Sequence, residues 1–326
     1  MTRAAIAVVA ALVVLASNFS ARALEPTKTP KIGILHPGFA SRSDGYLNFM
    51  QGMRDLGYIE GKNITIIRKF AEGRRERLPA MAADLVHHKV DVLIVCCQPA
   101  VDIAQKATST IPIVVWVAAN YVNQGLVKSL RHPGGNLTGL SSISSEYIGK
   151  QLQLFKETIK DLSRVAVLWH TAHRSHSFNV ELVRNAAERL NVQLVPISVK
   201  DANELSATFK RIKRERVDGV LILRGSLFNR NRKRITALAN EIAVPSMFGH
   251  RQEAEAGGLM AYGPDVADLG RRAATYVDKI LKGANPAELP IEQPMKYDFV
   301  LNLKTARALR VSIPPSILLQ ATKVIE

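Results

Sequence analysis

The sequence predicts an α/β protein of two lobes, each a parallel sheet wound with helices on both faces. Three observations carry this expectation. Short apolar runs rich in Ile and Val alternate with longer amphipathic segments, the alternation occurs twice, and Gly- and Pro-rich turns stand between the two series.

In the first series, the runs at 31–35, 64–67, 90–95 and 111–117 are bounded by Gly, Pro or Asn and read as strands buried on both faces. Segments 43–56, 75–87 and 99–108 have helical length, and Leu78, Met81, Ala82 and Leu85 recur at the three- and four-residue spacing of one helix face. The stretch Pro133-Gly134-Gly135-Asn136-Leu137-Thr138-Gly139 marks the boundary and leads through a short fifth strand into the second lobe. There the strands are 164–168, 193–199, 217–223 and 244–248, separated by helices 177–190, 202–214 and 230–242. Val90-Asp91 and Val217-Asp218 occupy corresponding places in the two series. A return crossing is expected at Tyr262-Gly263-Pro264-Asp265, with Pro264 in the first turn of a helix running to Lys282. The tail holds a strand at 297–301 and a helix from Asn302, interrupted by Pro314-Pro315. Pattern alone does not assign this tail. The expected division is 31–141 plus about 266–290 for one lobe, and 142–265 plus about 291–326 for the other.

With 326 residues, 47% of them hydrophobic, the chain has material for two globular domains without staples. Met1 to Arg3, the apolar run from Ala4 to Ala16 and the Ala21-Arg22-Ala23 site read as a signal peptide, 1–23, cleaved after Ala23. Removing Arg3 and Arg22 from 44 Lys+Arg, against 28 Asp+Glu, leaves a formal charge of +14. The basic residues are scattered, apart from Arg74-Arg75-Glu76-Arg77 and the segments 210–216 and 230–234, and each cluster falls where a helix exposes a polar face. No DNA-reading motif accompanies them, so a solvated basic surface is expected and nucleic acid is not a partner.

Parallel sheets bind ligands outside the carboxyl ends of their strands. That rule selects His36 and Phe39, then Gln98, Pro99 and Ala100, then Asn120 and Tyr121 in the first lobe; in the second it selects His170, His173, Arg224, Ser226 and Phe248, with Tyr262 at the return crossing. Pro99 suits a first helical turn, and the amides after it are expected to be free for an anion. His170, His173 and His176 stand at intervals of three, which drift round a helix, and no carboxylate is near; polar contact with a solute suits them better than a metal. The adjacent Cys96 and Cys97 are poorly placed for a disulfide, because neighbouring strand side chains point to opposite faces. The motifs G-x-S-x-G, G-x-x-x-x-G-K-[ST], H-E-x-x-H and G-x-G-x-x-G after the first strand are all missing, so neither an enzyme nor a cofactor is expected.

Residues Thr108 to Val115, Gly125 to Leu130, Pro133 to Ser141, Gly258 to Asp265, Asn302 to Leu309 and Ile313 to Leu318 together resemble the solute-binding components of bacterial ABC transporters. The particular group is the one that includes tryptophan- and other aromatic amino-acid-binding proteins. The resemblance spans essentially the whole mature chain. It implies a type I periplasmic binding fold with three crossovers at a hinge, a soluble monomer in the periplasm, and delivery of a small solute to a membrane permease. Many relatives carry Gly-Thr-Pro-Ala where this chain has Cys97-Gln98-Pro99-Ala100, and Asp-Pro-Val where it has Asn120-Tyr121-Val122. Loss of that carboxylate removes a partner for a solute ammonium, so an anionic or neutral polar solute with an aromatic ring is expected. Two other readings share the sequence: an exported ligand-sensing domain feeding a signalling receptor, and an exported enzyme using Cys97.

Overall fold

The computed structural model describes residues 29–38, 43–118, 121–142, 145–173 and 175–326. The expected signal peptide, Phe39 and Asn120 lie outside the described residues. Among the described residues no helix is long and apolar enough to cross a membrane.

The first sheet holds β1 (Lys31–His36), β2 (Thr65–Phe70), β3 (Val92–Cys96), β4 (Ile113–Ala118) and β5 (Leu137–Ser141), ordered β2-β1-β3-β4-β5 and parallel throughout. Alternation along β3 shows why these runs are apolar without a break. Val92, Ile94 and Cys96 enter one core while Leu93 and Val95 enter the other. Helices α1 (Asp44–Asp55), α2 (Leu78–His87) and α3 (Gln98–Ala107) cover the two faces.

The second sheet has seven strands: β6 (Arg164–His170), β7 (Gln193–Val199), β8 (Gly219–Ile222), β9 (Ser246–Phe248), β10 (Met260–Pro264), β11 (Tyr297–Asn302) and β12 (Lys323–Ile325), ordered β12-β11-β10-β9-β8-β6-β7. The β10–β11 pair is antiparallel and the remaining pairs are parallel. Its helices are α4 (Ser145–Thr158), α5 (His176–Arg189), α6 (Leu205–Arg214), α7 (Ser226–Arg230), α8 (Arg232–Glu241) and α9 (Arg251–Glu255), followed beyond the return crossing by α11 (Leu303–Ala308) and α12 (Pro315–Leu318).

Helix α10 (Val266–Leu281) joins the halves. It follows β10 of the second sheet and packs its Leu269, Ala273, Ala274 and Val277 into the first core. Asp265 caps it, accepting from the N–H groups of Ala267 (2.8 Å) and Asp268 (3.1 Å). The approach of α10 to α1 is close: a Cβ on Gly270 would lie 2.1 Å from the Gly45 carbonyl oxygen. The chain then returns through Glu292, bridged to Leu140 of β5, into β11. Two α/β lobes with three connections between them therefore form the type I periplasmic binding architecture.

The paired Val-Asp junctions have one job. Asp91 accepts from the Lys31 N–H (2.8 Å), and Asp218 accepts from those of Ser163 (2.9 Å) and Arg164 (2.8 Å). Each carboxylate ties down the start of the neighbouring central strand.

Several elements depart from expectation. β2 runs on to Phe70 because its Arg68 and Lys69 lie on a half-exposed edge and break no core; the apolar run had ended at Ile67. The segment expected to be one helix at 75–87 opens with a 3₁₀ turn, Arg75–Arg77, before α2. The helix expected at 230–242 is α8, and a separate short helix that was not expected, α7, precedes it across Asn231. Helices α9 and α12 and the edge strand β12 are too short for periodicity to detect, whereas α4 escapes the sequence reading although Ile148, Leu152 and Phe155 recur at helical spacing.

Candidate ligand-binding cleft

The carboxyl ends of both sheets face each other. Arg75, just beyond β2, donates from Nη2 to the Ser226 Oγ at 3.1 Å, and Arg251 Nη2 meets the Asp44 carboxylate at 2.7 Å. These contacts join the first lobe to the second across a closed cleft. A separate depression of about 400 Å³, lined by residues such as Pro30, Asp91 and Pro112, lies at the amino ends of the first sheet, away from these groups.

On the first lobe, His36 ends β1 and is buried, with its ring against Trp116 (5.9 Å between centroids) and Phe70 (6.3 Å). Its Nδ1 accepts the Gly38 N–H at 2.9 Å, which leaves the ring proton on Nε2. Burial lowers its pKa to about 4. Cys97, between β3 and α3, has φ 67° and ψ 147°, a backbone region that belongs almost wholly to glycine. Its sulfur lies 2.7 Å from that of Cys96, and both thiols are free. The hydrogen bond from Cys96 lowers the Cys97 pKa, aided by the positive charges of Arg224 and Arg75. Burial pushes Cys96 well up. The ligand atoms of His36, Cys96 and Cys97 lie within 4.8 Å of one another. A cation there meets two obstacles: the proton on the His36 Nε2 and the arginine field.

Gln98 is 6% exposed. Its Nε2 donates to the Asp102 Oδ1 at 2.9 Å, and its Oε1 is buried without a hydrogen-bond partner. The expected free amides after Pro99 are not free, because the N–H groups of Ala100 (3.1 Å) and Val101 (3.3 Å) both donate to the Cys97 carbonyl. Ala100 itself is wholly buried in the core. Tyr121 is also a structural residue: it is buried, and its hydroxyl donates to the Leu140 carbonyl at 2.6 Å.

On the second lobe the histidines interlock. His176 Nδ1 accepts from the His170 N–H (2.9 Å) while its Nε2 donates to the Arg224 carbonyl (3.0 Å), so one neutral tautomer serves both bonds. His170 donates from Nε2 to the Lys200 carbonyl at 3.1 Å. The ring of His173 stacks on His176, centroids 4.1 Å apart, and His176 stacks in turn on Phe228 at 6.2 Å. Burial depresses His176 to about 4 and His173 to about 3. This bracket locks β6, α5 and the end of β8 together, and both ring nitrogens of His176 are spent on the protein itself.

Arg224 follows β8. Its Nε donates to the His250 Nε2 at 3.0 Å, and its Nη1 is buried with no hydrogen-bond partner. Glu253, beside it in α9, is buried and its pKa is raised to about 8, so its proton stays on through neutral pH. Phe248 is fully buried in the outer core and does not face the cleft. Tyr262 stacks on Tyr297 (5.4 Å) and Tyr147 (5.9 Å) near the return crossing. Of the expected residues, His36, Gln98, His173, Arg224 and Ser226 gather at the cleft, and Arg75 joins them. Its cluster had read as a solvated helix face because it opens the segment expected as a helix at 75–87; that segment instead begins with a 3₁₀ turn beyond the carboxyl end of β2.

The profile of the family described as "ABC transporter substrate binding protein" matches residues 32–325. A tyrosine-binding protein of Clostridioides difficile (strain R20291) is 26% identical over 274 residues, covering 84% of this chain and 78% of its own. Among solved structures, a conserved domain protein from Vibrio cholerae superposes with a TM-score of 0.85 at 26% identity, covering 91% of this chain and 100% of its own. An ABC domain from Streptococcus pneumonia in complex with L-Trp also has a TM-score of 0.85, at 24% identity and the same coverage, which supports the fold. With the family profile matching nearly the whole described chain, this protein belongs to the ABC transporter substrate-binding protein family.

Proposed function

We propose that this chain is the periplasmic solute-binding component of an ABC importer, freed of residues 1–23 on export. It works as a monomer, closing one lobe (31–141 with about 266–290) and the other (142–265 with about 291–326) over a small polar solute with an aromatic ring, then presenting the closed form to a membrane permease. The observation that carries this is the meeting of the two carboxyl-end faces through Arg75–Ser226 and Asp44–Arg251. The aromatic ring is supported by what the relatives bind and by the rings of His36 and His173 at the cleft.

Magnitudes say what the solute must supply. The Asp44–Arg251 pair is about one third exposed on each side and contributes about 0.2–1 kcal/mol. Turning a mostly open population into a mostly closed one needs about 5.5 kcal/mol of differential binding. Solute contacts made by both lobes at once provide the larger share, and no covalent chemistry is required. Small-angle scattering of the mature protein tests this: the radius of gyration should fall on adding the solute identified by native mass spectrometry. Arg251→Ala should favour the open form without solute. A radius unchanged by a bound solute overturns the closure mechanism.

A further inference from the structure

Arg75 and Arg224 bring positive charge from opposite lobes to one place. None of Arg75, Arg224, Arg230 and Arg232 forms an ion pair with a carboxylate among the described residues. Burial lowers the Arg75 pKa, and the like charge of Arg230 adds to that shift. Arg224 stands close enough to the Cys97 thiol to acidify it. Two of the nearby acids are spent, Asp44 on Arg251 and Glu253 on its proton, and Asp102 is held in a hydrogen bond by Gln98. Closing the lobes therefore gathers like charges, which is unfavourable until an anion lies among them.

Two buried polar atoms are left without partners there. The Arg224 Nη1 is a donor and the Gln98 Oε1 an acceptor, the latter on a side chain 6% exposed. Buried groups of this kind each represent a lost hydrogen bond unless a ligand restores it.

We propose that the solute is a hydroxylated aromatic acid with no ammonium group, its carboxylate taken by Arg224 with Arg75 closing from the other lobe, and its hydroxyl donating to the Gln98 Oε1. This rests on the solute-binding reading and names its substrate class. An α-ammonium group would enter the arginine field, where the Asp44 carboxylate is already paired with Arg251 and the Asp102 carboxylate is held by Gln98.

Desaminotyrosine, L-tyrosine and tyramine share one phenol and differ only in charged groups, so they separate the terms. Calorimetric titration of the mature protein should give desaminotyrosine about tenfold or more the affinity of L-tyrosine, and no measurable tyramine binding. Arg224→Gln should weaken desaminotyrosine about tenfold or more, with Arg224→Lys in between. Gln98→Leu should weaken desaminotyrosine while leaving phenylpropionate, which lacks the hydroxyl, unchanged. Circular dichroism and melting temperature show whether each variant folds. L-Tyrosine or tyramine binding as tightly as the acid overturns the inference while leaving solute capture standing. Failure of all three probes overturns this substrate class; a co-purified solute in native mass spectra would then preserve the solute-binding reading, and its absence would count against both.

Discussion

Replacing Cys97 by glycine should stabilise the protein relative to replacing it by alanine, the reverse of the usual order. At φ 67° and ψ 147°, a residue bearing a Cβ stores about 1–3 kcal/mol of backbone strain. Both substitutions remove the same thiol, so its packing cancels in the comparison. Glycine carries an unfolded-state entropy cost of about 0.4–1 kcal/mol against alanine. The difference leaves Cys97→Gly ahead by about 1 kcal/mol. Cys97 is also the N-cap of α3, where glycine outranks alanine, and Cys97→Ser separates the two causes, since serine is a good cap but keeps the strain. Urea denaturation followed by the fluorescence of Trp116, which is 1% exposed and belongs to the same core as Cys96, reports on this lobe. The expected order is Gly above both Ser and Ala. Alanine more stable than glycine, or serine equal to glycine, would refute the strain argument.

Gly270→Ala should destabilise by about 1–3 kcal/mol, because its Cβ meets the Gly45 backbone at 2.1 Å where α10 crosses α1; an unshifted urea midpoint would show that the helices separate freely. Stability should also fall in mild acid. His36 and His176, depressed by burial to about 4, and His173, depressed to about 3, stay neutral when folded, whereas the unfolded chain takes up protons from about pH 6.5 downward. Their contribution is therefore present at neutral pH and lost between about pH 6.5 and 3. Glu253, raised to about 8, acts in the opposite sense: its contribution is held below pH 4.5 and lost as the pH rises towards 8. Three histidines against one glutamate make the acid loss the larger. Unfolding free energies at pH 7 and pH 5 should differ less in His176→Gln than in the parent protein, and equal differences would remove His176 from the account.

Much of the fold was legible because its causes are local. Val92 to Cys96 must be a strand buried on both faces whatever surrounds it, since five consecutive apolar positions have no polar side to turn outward. Asp91 and Asp218 could be matched by sequence position alone, and they do perform one task. The short elements α9 and β12 were not legible, because their stability comes from the sheet they dock on and not from their own pattern. The site was half legible. Gln98, Arg224 and Ser226 follow from the rule that ligands gather at strand ends, but side-chain direction decided against Tyr121 and Phe248, which turn into the cores.

The sequence by itself therefore determined two parallel-sheet lobes, the turns that divide them and the loops that end their strands, because hydrophobic periodicity and backbone stereochemistry act over a few residues. Only the tertiary structure decided which atoms those loops leave unpaired. Arg75 and Ser226 are far apart in the chain, Arg224 and Gln98 sit on different lobes, and their meeting depends on how two sheets close. The reason is physical: a hydrogen bond or an opposed pair of charges is set by distance in space, which one chain segment cannot encode alone.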